Sequence, residues 1–145
     1  MEAIPDMNFS DLLLHLGTKL NADRKKSEKV LCDMLHVLRD NLPYDKAILV
    51  YKGLPEHLKK IYTSGWNNSE VHKPAEKFCD FRDQFLKGES LVVQEEQKAG
   101  NEVKRFLIVI LELLRELMPG NQLKKVIQCL PEDMRDSMQK AVFPE

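Results

Sequence analysis

Apolar residues recur at spacings of three and four along most of this chain, the mark of helices that turn one face to a core. Phe9, Leu12, Leu13 and Leu16 form the first stripe, with Asn8 placed to cap it and Gly17 to end it as a left-handed residue. Asn21 is the expected cap of a longer second helix, with Val30, Leu31, Met34, Leu35, Leu38 and Leu42 on one face. Pro43 stops that helix, because proline lacks an N–H and disfavours helix in the residue before it. A short third helix begins near Asp45 and turns Ala47, Val50 and Tyr51 inward. The fourth opens at Leu54 and Pro55, buries Leu58, Ile61 and Tyr62, and stops at Gly65 with Trp66 folding back on Ile61 or Tyr62.

Residues 67–74 are polar and without period, so they read as a connection. Phe78, Phe81 and Phe85 then mark a fifth helix closed by Gly88. From 90 to 118 two readings stand: one helix kinked near Gly100, or an irregular loop followed by a helix capped at Asn101. Phe106 to Leu111 is apolar on every side, which makes this sixth helix the expected centre of the fold. Short helices over 121–129 and 131–141 follow, with Leu123, Val126, Ile127, Met134 and Met138 inward.

These patterns repeat. Leu31, Leu35, Leu38, Arg39, Pro43, Val50, Leu54, Pro55 and Glu56 return at a constant offset as Leu107, Leu111, Leu114, Arg115, Pro119, Val126, Leu130, Pro131 and Glu132. A repeat of this kind sets the architecture. The chain therefore reads as one all-α domain, 1–145, a compact bundle of about eight helices. It is built from two tandem copies of a four-helix unit, repeats 8–66 and 75–143, joined by linker 67–74.

Taken in order, Leu16-Gly17, Leu38-Arg39-Asp40-Asn41-Leu42-Pro43, Leu54-Pro55-Glu56-His57-Leu58 and Gly65-Trp66 resemble the prokaryotic domain of unknown function 2267 family. Leu114-Arg115-Glu116-Leu117-Met118-Pro119 and Leu130-Pro131-Glu132-Asp133-Met134 carry the likeness into the second copy. That copy departs from the pattern by ending in Val142-Phe143-Pro144 instead of Gly-Trp. The resemblance implies a helical bundle of bacterial or archaeal origin and brings with it no catalytic residues.

Composition narrows the choice of function. With 22 basic against 23 acidic residues the net charge is −1, which offers no general attraction to nucleic acid or to a membrane surface. The start of the chain lacks a basic region followed by an apolar one, and the longest apolar run falls far short of a span, so a cytoplasmic protein is expected. Three cysteines, Cys32, Cys79 and Cys129, suit a reducing compartment.

Candidate chemistry is sparse. Cys32 and His36 stand one turn apart, a spacing two metal ligands can use, yet no third ligand accompanies them. His15, His57 and His72 have no partner at metal or triad spacing, and Glu76, Asp80 and Asp83 form the wet side of an amphipathic helix. No Gly-rich phosphate loop or serine elbow occurs, so neither an enzyme, a metal nor a cofactor is expected. Lys52, Lys59, Lys60, Lys124, Lys125 and Arg135 read as solvated faces.

Binding is the remaining class. Tyr62 and Trp66 are residue types that dominate interface energies, and the apolar excess of Phe106 to Leu111 over the first copy points to a patch beside the fourth and sixth helices for a protein partner or self-association. The reading is a non-enzymatic protein-interaction or regulatory module. The alternative is a carrier of a small apolar ligand, its pocket between the two repeats lined by Phe78, Phe81, Phe85 and Phe106.

Overall fold

The first helix shows how the ends are made. α1 (Phe9–Leu20) starts at Asn8, whose side chain accepts the Asp11 N–H at 2.8 Å, and stops at Asn21 in the left-handed conformation, φ 55°. The expected stop at Gly17 is corrected: the helix runs through it, because Gly17 serves close approach. A Cβ there would sit 2.8 Å from the Ala22 carbonyl oxygen as the chain turns back. Asn21 is likewise not the cap of the next helix. α2 (Arg24–Asp40) takes its cap from Asp23, which accepts the Lys26 N–H at 2.8 Å.

The computed structural model describes residues 7–66, 74–88 and 96–144, which form eight α-helices and no strand. Pro43 and Pro55 stand immediately before α3 (Tyr44–Gly53) and α4 (Glu56–Thr63), where a missing N–H costs nothing. Gly65, at φ 70°, ends this run as the periodicity predicts. α5 (Phe78–Leu86) lacks a cap of its own at Lys77; the Asp133 carboxylate takes the Phe78 N–H instead, at 2.8 Å. α5 closes just before Gly88 as expected, although Gly88 is not left-handed; its bare face lies against the Asp33 carboxylate from α2.

α6 (Glu96–Leu117) passes unbroken through Gly100 and Asn101, so the single-helix reading holds from residue 96 onward; residues 90–95 lie outside the described segments. Phe106, Leu107, Val109, Ile110 and Leu111 are buried and Ile108 is half-buried, as a helix apolar all round requires. α6 packs against α1, α2, α3 and α5, and against α7 (Gly120–Ile127) and α8 (Glu132–Val142). α2 is the second hub, meeting α1, α4, α5 and α6. One continuous apolar core joins all eight helices.

Two polar side chains tie this arrangement together, the buried Asn41 and the partly exposed Arg105. Asn41, just beyond α2, donates to Val37 O at 2.8 Å and to Gln84 Oε1 at 2.7 Å, while its own oxygen accepts the Ala75 N–H at 2.6 Å. Arg105 on α6 reaches back to the Leu20 carbonyl that ends α1, at 3.1 Å. Asn41 thereby pairs the Ala75 N–H, and Arg105 the last carbonyl of α1.

Candidate functional site

Where α2 ends and α3 begins, the chain must turn at Pro43, and Tyr44 becomes the first residue of α3. A first-turn side chain has no preceding turn to lie on, and Tyr44 remains 59% exposed. Leu14 is the other large apolar side chain exposed among the described residues. The Tyr44 ring rests on the half-buried Trp66 indole, centroids 5.9 Å apart and tilted by 32°. Trp66 in turn meets the edge of Tyr62 at 6.0 Å, so the expected fold-back onto that residue is present.

Arg39 holds the assembly from beneath. Its guanidinium is almost wholly buried, donates to the carbonyls of Tyr62 at 2.8 Å and Ser64 at 3.0 Å, and lies 5.8 Å from the Trp66 ring centroid. His36, one turn earlier, sits with Nε2 2.6 Å from the Ile61 oxygen. Two α2 side chains thus satisfy the last carbonyls of α4, where donors and positive charge are favoured. Tyr62 is itself buried, its hydroxyl donating to Ala47 O at 2.9 Å, and burial pushes its phenol well above the ordinary range.

The aromatic residues singled out from sequence therefore separate. Tyr62 and Trp66 belong to this corner, with only Trp66 reaching the surface. Phe81, Phe85 and Phe106 are fully buried in the core, Phe85 and Phe106 meeting edge to face at 6.2 Å. Phe78 is half-buried under the Lys104 ammonium, 4.7 Å above its ring, and lines an open groove of about 450 Å³ with Arg82, Gln97, Gly100, Asn101 and Lys104. That groove lies between α5 and α6 and is lined by polar and apolar surface alike. The carboxylates Glu76, Asp80 and Asp83 are exposed around another shallow groove of about 370 Å³.

Cys32 Sγ lies 3.9 Å from the His36 ring nitrogens, but burial, reinforced by Asp33, pushes its thiol up. Burial does the same to Cys129, and a protonated thiol is a poor nucleophile. Among the described residues no group of three or more His, Cys, Asp or Glu is arranged to hold a metal ion. No helix among them is long and apolar enough to cross a membrane.

Sequence reasoning missed Tyr44 and the role of Arg39. A signal for each existed: Tyr44 directly follows a helix-stopping proline, and Arg39 is one of the few polar identities between the two halves. No curated protein matches the chain. A family model matches residues 10–137, nearly the whole helical array just described, and by it the chain belongs to the family described as Uncharacterized conserved protein (DUF2267).

Proposed function

We propose that this protein is a non-enzymatic helical module that binds another protein, and that the Tyr44–Trp66 corner is its contact surface. The observation that carries the reading is an exposed tyrosine stacked on a tryptophan that is anchored from below by a buried arginine. Tyr and Trp supply large contact area for few torsions, and a pre-organised pair loses little entropy on binding. An apolar ligand carrier draws less support, since Phe81, Phe85 and Phe106 fill the core with their own rings.

The two halves are, in this proposal, copies of one unit within a single domain. Arg39 and Arg115 occupy matching positions, and each donates to a carbonyl at the end of the last helix in its half, Tyr62 for one and Val142 for the other. α2 packs on its counterpart α6, and α3 on its counterpart α7. Copy two has no tyrosine at the start of α7; Gly120 stands there, covered by the Phe143 ring. Only copy one therefore carries the exposed pair.

Photo-crosslinking tests the reading. A benzoylphenylalanine placed at position 44 of the full chain is expected to trap a discrete protein adduct in its native cell, while the same probe at Lys124, the counterpart of Ile48, traps none. Equal labelling from both positions would sink the assignment of the surface.

A further inference from the structure

Resting on that reading, we propose that the Tyr44–Trp66 face takes a short peptide segment in which a bulky apolar side chain is flanked by lysine or arginine. The first argument comes from within the chain. Tyr44, Ile48 and Leu49 of α3 correspond to Gly120, Lys124 and Lys125 of α7, and both lysines are exposed. Ile48 and Leu49 are half-buried, so one helix carries exposed lysines where the other carries partly covered apolar residues. One turn separates Tyr44 from Ile48 on a common face.

Charge at the rim is the second argument. Two ion pairs border the face, Arg39 with Asp40 and Lys46 with Asp45, each at 2.9 Å. In both, the carboxylate is the outer partner: side-chain exposure is 6% against 31% in the first pair and 26% against 72% in the second. The cations lie underneath and the acids point to water, so an approaching chain meets negative charge around an apolar centre. Lys52, the exposed cation of α3, is two turns away from Tyr44.

Size favours a short segment over a second folded copy. The exposed apolar area of a partly covered tyrosine and tryptophan is on the order of 200–300 Å², whereas a stable protein interface buries about 800 Å² on each partner. A short segment with one anchoring side chain fits such a footprint.

Selection from a random peptide library on the intact chain, with counter-selection on a Tyr44→Lys/Ile48→Lys variant, tests the proposal. The chain's single tryptophan is Trp66, so titrating each selected peptide against intrinsic fluorescence reports on this corner alone. The expected result is enrichment of an apolar residue flanked by Lys or Arg, with affinity falling about tenfold or more in the variant and weakening as salt rises. Asp45→Lys, a change at an exposed carboxylate, is expected to weaken the same peptides severalfold, and it carries the test alone if the double variant loses its helical circular dichroism. Tyr44-dependent binders with acidic or neutral flanks would overturn this inference while leaving the interaction surface standing. Absence of any Tyr44-dependent binder would overturn both. A dimer in light scattering that disappears with Tyr44→Lys would overturn the peptide in favour of self-association.

Discussion

Arg39 donates to the main-chain oxygen of Tyr62 at 2.8 Å, joining the last turn of α2 to the last turn of α4 across the core. A buried guanidinium is tolerated because its Nη1 has two carbonyl partners and its Nε has Asp40 at 2.9 Å. Arg115 on α6 likewise donates to a carbonyl at the end of a helix, that of Val142 on α8.

Arg39→Met is therefore expected to destabilise the protein by about 2–4 kcal/mol, since charge-assisted bonds are worth about 1.5–3 kcal/mol each and the freed carbonyls are partly buried. Arg39→Lys keeps the charge but not the fork, and is expected to recover only part of the loss. Urea unfolding checks both, and Trp66 fluorescence should shift in the Met variant as its indole loses the guanidinium. A midpoint unchanged in Arg39→Met would refute the clasp.

Tyr62 brings a pH dependence of definite sign. Burial raises its phenol above the ordinary value, so the unfolded chain releases this proton before the folded one does. The contribution is fully present below the unfolded value of about 10 and is lost as pH climbs beyond it. Tyr62→Phe is expected to cost about 1 kcal/mol at neutral pH, from the bond to Ala47. It should also flatten the fall in stability above pH 10 relative to wild type. An identical alkaline limb in the two proteins would contradict this account.

Three glycines should respond differently to alanine. Gly88→Ala would bring a Cβ within 2.3 Å of Asp33 Oδ2, and Gly17→Ala would meet the Ala22 carbonyl at 2.8 Å. Each is expected to lower stability by about 1–3 kcal/mol, and Asp33→Ala should rescue Gly88→Ala but not Gly17→Ala. Gly100 lies inside α6 with its nearest neighbour, Phe78, at an ordinary 3.5 Å. Gly100→Ala should instead raise stability by about 0.5–1 kcal/mol, the helix-propensity difference. Thermal melts of the three variants separate close approach from backbone freedom.

Asp133 supplies from α8 the cap that α5 lacks. Asp133→Ala is expected to cost about 1 kcal/mol and to speed hydrogen exchange at the start of α5 more than elsewhere. Uniform exchange across the chain after this change would show that the carboxylate at Phe78 is incidental.

Local chemistry explains what could be read before any coordinates. Apolar spacing, the prolines before α3, α4, α7 and α8, and the all-apolar run at Phe106 to Leu111 specify eight helices in order and which one lies at the centre. Each signal acts within a few residues of itself, through backbone sterics and the turn of the helix. The same locality is why Gly17 reads as a helix stop: within its own segment nothing reveals that Ala22 will press against it.

Docking of the helices decided the rest. Arg39 on Tyr62, Asn41 on Gln84, Arg105 on Leu20 and Asp133 on Phe78 join positions far apart in the chain, and which donor meets which carbonyl depends on how the helices cross. Packing also sorted the aromatic residues, sealing Phe81, Phe85 and Phe106 inside while leaving Tyr44 in water. Helical period tells an inward face from an outward one, but only the neighbouring helices determine whether a half-outward ring is covered.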